Sequence, residues 1–193
     1  QFLPENFWEI IFNPSFPWRL MHMTTASYLT TSLVITGISA FYLLSGTNLE
    51  VARKAFSVGM WALLVLAPMQ IFLGDQHGLN TLEHQPMKVA AMEGNWETQP
   101  YAPFHIFAMP DQKLQKNHLE ISIPWASSLI LKHSPSGVVP GLKEVAVEDQ
   151  PPVGIVFWSF RVMVGLGFLF LLLGLWGAFA RWRGTLYDAR GLK

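Results

Sequence analysis

The sequence predicts an all-α membrane protein with three transmembrane helices and a long, partly irregular extracytoplasmic loop between the second and the third. Three runs lack any charged side chain: thirty residues from Leu20 to Leu49, twenty from Ala55 to Gly74 and nineteen from Val162 to Ala180. A membrane helix needs roughly 20 mainly apolar residues. Only 13% of the residues are charged, whereas soluble domains carry about 25%. Core helices of a soluble protein seldom run this long without a charge on the outward face.

These runs divide the chain into seven segments. We expect an extracytoplasmic lead-in at 1–19, a first transmembrane helix at 20–45, a cytoplasmic loop at 46–54, a second helix at 55–74, an extracytoplasmic loop at 75–151, a third helix at 152–180 and a cytoplasmic tail at 181–193. Pro17 is tolerated in the first turn of a helix. Pro68 lies inside the second span and predicts a kink there.

Small and hydroxyl side chains mark the first and third spans as members of a helix bundle. The first span is polar for a membrane helix, with hydroxyl residues that include Thr24, Thr25, Thr30, Thr31, Ser32, Thr36 and Ser39. We expect these groups to form hydrogen bonds across helices. The third span contains Gly165, Gly167, Gly174 and Gly177. Glycines allow close approach of another helix or of a flat cofactor, and contact with a helix is the commoner reason for them.

The distribution of basic residues predicts the orientation. Arg53 and Lys54 lie between the first two spans, and Arg181 and Arg183 follow the third, with Arg190 and Lys193 farther on. Both regions fall on the same side if the spans alternate, and the positive-inside rule makes that side cytoplasmic. The loop from Asp75 to Gln150 contains nine acidic residues and five lysines. This loop is therefore expected outside.

The outer loop is far longer than an ordinary connection. Residues 83–96 predict a short helix, because Ala90 and Ala91 favour it and neither Gly nor Pro stands between Met87 and Glu93. Residues 119–123 alternate weakly and could form a strand. Residues 132–143 are rich in Pro, Gly and Ser, and we expect them to be the most flexible part of the loop.

Composition excludes several classes of function. The formal net charge is zero, which argues against nucleic acid as a partner because such proteins need a surplus of basic residues. There is no cysteine, so disulfides, thiolate zinc sites, iron–sulfur clusters and haem attached through cysteine are excluded. A metal or haem site would need His, Met or carboxylate ligands.

Three residues at membrane depth are candidates for a cofactor site. His22 lies at the outer end of the first span, and Arg161 and Met163 lie in the outer half of the third. A buried arginine needs an anionic partner, such as a haem propionate. A His and a Met from two helices are the axial pair of six-coordinate electron-transfer haems. Taken alone, His22 could be an interfacial histidine and Met163 a residue that fills space.

The outer loop is dense in groups that exchange protons. Lys88 and Glu93 are five residues apart, which is roughly 140° around an ideal helix. They would not share a helix face. The alternative to a functional site is that both residues lie on a solvated helix surface. Four further residues could be regarded as a metal cluster: Asp75, His77, Glu83 and His84. Their spacing matches none of the helical two-histidine zinc signatures.

One run is specific enough to suggest a family. Residues 74–100 read Gly-Asp-Gln-His-Gly-Leu-Asn-Thr-Leu-Glu-His-Gln-Pro-Met-Lys-Val-Ala-Ala-Met-Glu-Gly-Asn-Trp-Glu-Thr-Gln-Pro. This run closely resembles subunit I of the cytochrome bd-type quinol oxidases, above all in Lys-x-Ala-Ala-x-Glu-x-x-Trp-Glu-Thr. Gln-His after Gly-Asp resembles the cyanide-insensitive branch. Supporting matches are His22 with Ala26-Ser-Tyr28, Ile123-Pro124, Gly141-Leu-Lys143 and Phe160-Arg-Val-Met163.

The resemblance covers essentially the whole chain and implies roles for five residues. It implies that His22 and Met163 are the axial ligands of a low-spin haem b and that Arg161 lies beside that haem. It implies that Lys88 and Glu93 act in quinol oxidation on the outer loop. The implied enzyme is a multi-pass terminal oxidase of the bacterial inner membrane, which oxidises quinol and reduces dioxygen to water.

The resemblance also implies parts that this sequence lacks. Family members carry further membrane helices, which hold the high-spin haems and the proton path, so we expect this chain to be a central segment that is inactive alone. Its expected partners are membrane lipid, quinol, the remainder of subunit I and a second membrane subunit. The alternative is a quinone-binding or structural membrane module without redox iron, and a haem spectrum would separate the two.

Overall fold

The computed structural model describes residues 6–187 and is mostly helical. The elements are α1 (Phe7–Ile11), α2 (Phe16–Ser45), α3 (Leu49–His84), α4 (Pro86–Glu93), β1 (Phe104–Asp111), β2 (Lys116–Ile123), α5 (Ala126–Lys132), two 3₁₀ turns (Leu142–Glu144 and Val147–Asp149) and α6 (Val153–Trp182). The chain forms two units, which are described separately. The first extends to Asp75 and resumes at Gly165, and the second is Gln76–Val164.

Three helices are long and apolar enough to cross a membrane, as the sequence predicts. The segments are Phe16–Ser45, Leu49–His84 and Val147–Trp182, with mean hydropathies of 1.4, 1.9 and 2.3. The helices extend beyond the charge-free runs. α3 occupies 36 residues, about 54 Å at the helical rise, whereas the hydrocarbon core is about 30 Å thick. The reason is that a charged residue limits burial in lipid but does not end a helix.

The first unit is held together by a narrow stripe on α2. Its buried positions are Thr25, Leu29, Ser32, Thr36, Ser39, Ala40 and Leu43, which mostly recur every three or four residues, as on one face of a helix. Five of the seven are Thr, Ser or Ala, and such small side chains let a neighbouring helix approach closely.

Five hydroxyl groups of α2 form hydrogen bonds within the helix and not the bonds across helices that the sequence predicts. Ser27, Thr30, Thr31, Ser32 and Thr36 each donate to the backbone carbonyl four residues earlier in α2. Such bonds satisfy a hydroxyl inside an apolar bundle without any partner on another helix. The buried hydroxyl residues therefore contribute to packing by being small.

Glycines bring the helices of the first unit into close contact, as the sequence predicts. A Cβ on Gly59 of α3 would lie 2.1 Å from Thr36 Oγ1 of α2. A Cβ on Gly174 of α6 would lie 2.9 Å from Leu64 Cα of α3. Gly165 and Gly167 differ, since no described atom lies within 4 Å of a Cβ added there.

The second unit contains an antiparallel hairpin of β1 and β2. Phe104 pairs with Ile123 and Asp111 with Lys116, with irregularities in register between them. The expected strand at 119–123 is therefore the second half of β2, and β1 was not anticipated. Asp111 Oδ1 accepts hydrogen bonds from the backbone of Lys113 and Leu114, which shapes the turn.

Backbone hydrogen bonds tie the end of the predicted flexible stretch to the residues after α4. Val139 exchanges hydrogen bonds with Gln99, and the N–H groups of Leu142 and Lys143 donate to Asn95 and Trp96. Gly141 makes this possible, since a Cβ there would lie 2.2 Å from the Glu97 carbonyl carbon. The second half of 132–143 is thus pinned against the candidate site, because a residue without a side chain lets two backbones meet.

The two kinds of glycine on α6 give a matched test of the packing. We expect Gly174→Ala to lower the free energy of unfolding by about 1–3 kcal/mol, because the added methyl group meets the α3 backbone. Gly167→Ala, on the same helix with open space around it, should preserve or raise stability, since Ala favours helix more than Gly. Denaturation of both variants in the same detergent measures the difference, and equal stabilities would contradict the α3–α6 contact.

A buried ion pair as the candidate functional site

A buried ion pair joins the last residue of α4 to the first half of α6. Arg161 Nη2 lies 3.0 Å from Glu93 Oε2, and each side chain is only 6% exposed. Arg161 Nε also donates a hydrogen bond to the backbone carbonyl of His105 on β1. One guanidinium group therefore connects α4, β1 and α6 within the second unit.

Aromatic rings enclose the guanidinium group. Its central carbon lies 4.3 Å from the ring centroid of Phe104, 4.7 Å from that of Phe157 and 5.3 Å from that of Phe160. A cation near aromatic faces is stabilised by the ring quadrupole, and more so where water is excluded. The rings thus offset part of the cost of burying the charge of Arg161.

The local sequence explains why Glu93 points inward. Pro86 stands at the start of α4, where the missing N–H is harmless, and Gly94 ends the helix at φ +70° with its N–H turned back to Ala90 and Ala91. Ala90 and Ala91 are fully buried. A Cβ on Gly94 would lie 3.2 Å from the Phe157 ring, so a glycine lets the end of α4 approach α6.

Electrostatics make this carboxyl group unusual. Burial raises the pKa of Glu93, and the charge and hydrogen bond of Arg161 oppose that rise. A buried pair of this kind loses stability when one partner is removed, because the other charge is left uncompensated. A carboxyl whose pKa is raised exchanges protons more readily near neutral pH than one at the protein surface.

His105 is the residue that sequence analysis missed. It is buried, and its Nδ1 lies 3.6 Å from Oε2 of Glu120 on β2. Burial lowers the pKa of the His105 imidazole, Glu120 raises it and Arg161 lowers it. The available signal was a histidine flanked by apolar residues in Phe-His-Ile-Phe-Ala, residues 104–108.

Asn117 holds this arrangement against the end of α4. Its Oδ1 accepts from Trp96 Nε1 at 2.8 Å, and its Nδ2 donates to the Gly94 carbonyl at 3.0 Å. The same Nδ2 lies 3.5 Å from His105 Nε2. The hairpin is thereby joined to the residues that follow Glu93.

Lys88 lies apart from Glu93. It is exposed near the start of α4, while Glu93 is buried at the end. The expectation that the two residues do not share a helix face is confirmed. A ligand that used both groups would have to reach from the surface of α4 to its buried side.

The candidate haem ligands are distributed over the two units. His22 belongs to the first unit, where Gln70 Nε2 lies 3.3 Å from its Nδ1 and 3.2 Å from its Nε2. A Cβ on Gly74 would come within 3.2 Å of the His22 ring, so this glycine makes room for the imidazole. Met163 belongs to the second unit and its side chain is 49% exposed.

His22 carries an imidazole and Met163 a thioether, which are the two donor types that a haem of the predicted kind needs. The expected anionic partner of Arg161 is found in Glu93. Arg161 Nη1 is nevertheless buried without a hydrogen-bond partner within residues 6–187, so it retains a donor for a carboxylate such as a propionate. No group of three His, Asp or Glu suited to a metal ion occurs in the described part of the chain.

The family comparison decides the identity. The model of the family described as cytochrome bd terminal oxidase subunit I matches residues 1–190. The chain belongs to this family.

Individual members agree with that assignment. Subunit 1 of cytochrome bd-II ubiquinol oxidase from Escherichia coli (strain K12) is 38% identical over 167 residues, which are 84% of this chain and 32% of that protein. Cytochrome bd ubiquinol oxidase subunit 1 from Bacillus subtilis (strain 168) is 32% identical over an alignment of 195 positions, which covers 96% of this chain and 42% of that protein. The chain thus spans about a third to two fifths of the length of these relatives.

A solved structure shares the fold. The bd oxidase from Geobacillus thermodenitrificans superposes with a TM-score of 0.81 at 28% identity, covering 93% of this chain and 40% of that one. As a member of the cytochrome bd subunit I family with three apolar helices, the chain is a multi-pass protein of the bacterial inner membrane.

The buried pair gives a stability prediction with a definite pH dependence. In Arg161→Gln the Glu93 carboxyl stays buried without its counter-ion, so its pKa rises further above the ordinary 4.5. A raised carboxyl pKa removes stability as the pH climbs above the unfolded value. We therefore expect Arg161→Gln to lose about 3–5 kcal/mol, increasingly so above pH 4.5.

The double variant Arg161→Gln/Glu93→Gln is the control for this prediction. It has no buried charge, so its free energy of unfolding should lie above that of the single variant and vary less with pH. Denaturation at several pH values measures both. A single variant whose loss does not grow with pH would show that Glu93 is not the group left charged.

Proposed function

We propose that this chain forms the quinol-oxidising and electron-accepting part of a respiratory quinol:oxygen oxidoreductase. The observation that carries the proposal is the buried Glu93–Arg161 pair. Glu93 lies within the run 74–100 that carries the family resemblance, and Arg161 lies two residues before the candidate ligand Met163. Proton acceptance and electron acceptance thus involve neighbouring residues of one chain.

Glu93 serves in this proposal as the acceptor of protons from quinol. A quinol hydroxyl loses its proton as its electrons leave, so a nearby base has to receive it. A carboxylate with a raised pKa takes a proton near neutral pH, and Arg161 stabilises the ionised state between turnovers. Lys88, exposed on the other side of α4, would attract or orient the headgroup.

The remaining roles concern the cofactor. His22 and Met163 would hold a low-spin haem b through its two axial positions, and Arg161 Nη1 would donate to a propionate. A haem with both axial positions filled transfers electrons one at a time and leaves no site for dioxygen. Oxygen reduction therefore requires the high-spin haems, which we assign to other parts of the oxidase, and this chain alone is expected to be inactive.

Topology completes the proposal. Basic residues at the α2–α3 connection and after α6 favour the cytoplasm, and the acidic segment between α3 and α6 favours the outside. Protons accepted by Glu93 would then be released outside. The partners we propose are quinol, membrane lipid, the remainder of subunit I and a second membrane subunit.

Comparing activity with the haem spectrum distinguishes a role of Glu93 and Lys88 in quinol oxidation from a purely structural role. In the assembled oxidase we expect Glu93→Gln to lower quinol oxidation by on the order of 10², while the low-spin haem b spectrum is retained. Lys88→Met should act mainly on KM, because its side chain is exposed. Full activity in Glu93→Gln would overturn the proposed function, and loss of haem b would reduce Glu93 to a structural residue.

The axial assignment is tested by Met163→Leu. Leucine conserves volume, so packing should change by less than about 1.5 kcal/mol, whereas the iron loses one ligand. We expect a folded oxidase whose haem b becomes high-spin with a lower reduction potential, because thioether ligation raises the potential. Absorption spectra and redox titration measure this, with His22→Leu expected to lose haem altogether. An unchanged low-spin spectrum would assign the sixth ligand to another residue.

A further inference from the structure

Asn117 of β2 lies between the residues that support the two partners of the buried ion pair. Its Nδ2 donates a hydrogen bond at 3.0 Å to the carbonyl of Gly94, which directly follows Glu93. The same atom lies 3.5 Å from Nε2 of His105, whose backbone carbonyl accepts from Nε of Arg161. One side-chain amide therefore connects the support of Glu93 to the support of Arg161.

The orientation of this amide follows from its third partner. Trp96 Nε1 can only donate, so the Asn117 atom that it meets at 2.8 Å is the oxygen. The NH₂ group must then face Gly94 and His105. It has two hydrogens, of which one serves the Gly94 carbonyl and leaves the second for His105 Nε2.

The hairpin holds Asn117 in a defined place. Asn117 pairs with Pro110 next to the turn of the hairpin. Gln112, in that turn, donates to the Pro151 carbonyl at 3.2 Å, and its Oε1 accepts from the N–H of Val153 at 3.4 Å. The turn is thus attached to the start of α6, and Asn117 extends this attachment to the end of α4.

The end of α4 needs such a contact. Glu93 is the last residue of the helix, and Gly94 leaves it at φ +70°. The N–H groups of Gly94 and Asn95 return to carbonyl groups of α4, whereas the Gly94 carbonyl is bound by Asn117. Because glycine adopts many backbone conformations, this bond limits how the peptide after Glu93 can turn.

We propose that Asn117 is a positioning residue for quinol oxidation, which keeps the Glu93 carboxylate and the Arg161 guanidinium in the geometry that proton acceptance requires. The inference rests on the proposed function, in which Glu93 accepts the protons of quinol. It extends that function by a residue outside the run 74–100 that carries the family resemblance. The amide of Asn117 is not a titratable group, so it acts through Glu93.

The expected effect is on the chemical step and not on substrate binding. Displacing a catalytic group by about 1 Å can cost about 10²-fold in rate. In Asn117→Ala the backbone hydrogen bonds of residues 95–96 remain, so Glu93 is loosened and not released. We therefore expect kcat of quinol oxidation in the assembled oxidase to fall about tenfold, with KM within about twofold of wild type.

A double-mutant comparison distinguishes positioning from general damage. Asn117→Ala should lower kcat about tenfold in the wild-type oxidase but less than about twofold in the Glu93→Gln oxidase, which has no carboxylate to position. A purely structural weakening would lower kcat by the same factor in both. The haem b spectrum of each variant measures assembly. Asn117→Leu keeps the approximate size of the side chain without its polar atoms, and it gives the same comparison if Asn117→Ala does not assemble.

The neighbouring residue on β2 provides a matched control. His118 forms a pair with Asp111 at 3.5 Å, and both side chains are partly exposed. Successive residues of a strand point to opposite faces, and no hydrogen bond or ion pair joins His118 to Glu93 or Arg161 within residues 6–187. His118→Ala should therefore keep the wild-type kcat and KM.

The outcomes separate this inference from the proposed function. An unchanged kcat in Asn117→Ala, a rise in KM alone, an equal loss in the Glu93→Gln oxidase or an equal loss in His118→Ala would each overturn the inference and leave the quinol site standing. If neither Asn117 variant assembles, Asn117 is a structural residue and the inference is wrong. Full activity of Glu93→Gln would overturn the proposed function, and this inference with it.

Discussion

The ion pair between Glu93 and Arg161 is the constraint that joins α4, β1 and α6 in the second unit. Two opposite charges are removed from water among aromatic rings, and such a pair is stable only with close geometry and additional hydrogen bonds. The His105 carbonyl supplies one of those bonds, and the left-handed turn at Gly94 sets where Glu93 ends up. The end of α4, strand β1 and the first half of α6 must therefore keep their positions together.

Both units contain places where glycines let two backbone segments approach each other closely. In the first unit Gly59 and Gly174 let helices touch where a Cβ would collide, as expected for helices that associate without a hydrophobic driving force. In the second unit Gly141 lets one backbone segment lie against another directly after the site. In the loop, as between the helices, a residue without a side chain lets two segments come into contact. In the loop this contact allows backbone hydrogen bonds next to the site.

The two titratable residues of α4 lie in different environments. Lys88 is exposed near the start of the helix, whereas Glu93 is buried at its end. Burial raises the pKa of Glu93 and lowers that of His105, because it disfavours the charged form of each group. For the carboxyl group this shift brings proton exchange closer to neutral pH.

The sequence by itself determined the three helices, because long charge-free runs are a property of the chain and not of its packing. It also indicated Glu93, Arg161, His22 and Met163, since an ionisable or ligating residue in an apolar run or a distinctive motif is visible without coordinates. Only the tertiary structure decided that Arg161 pairs with Glu93, 68 positions apart, and that His105 and Asn117 join them. Such contacts depend on the register of the hairpin and on the end of α4, and no local pattern encodes a partner so distant. The same limit applies to the hydroxyl groups of α2 that the sequence predicts to bond across helices and that bond within α2. A hydroxyl group in an apolar bundle needs a hydrogen-bond partner, but the sequence does not determine which partner it takes.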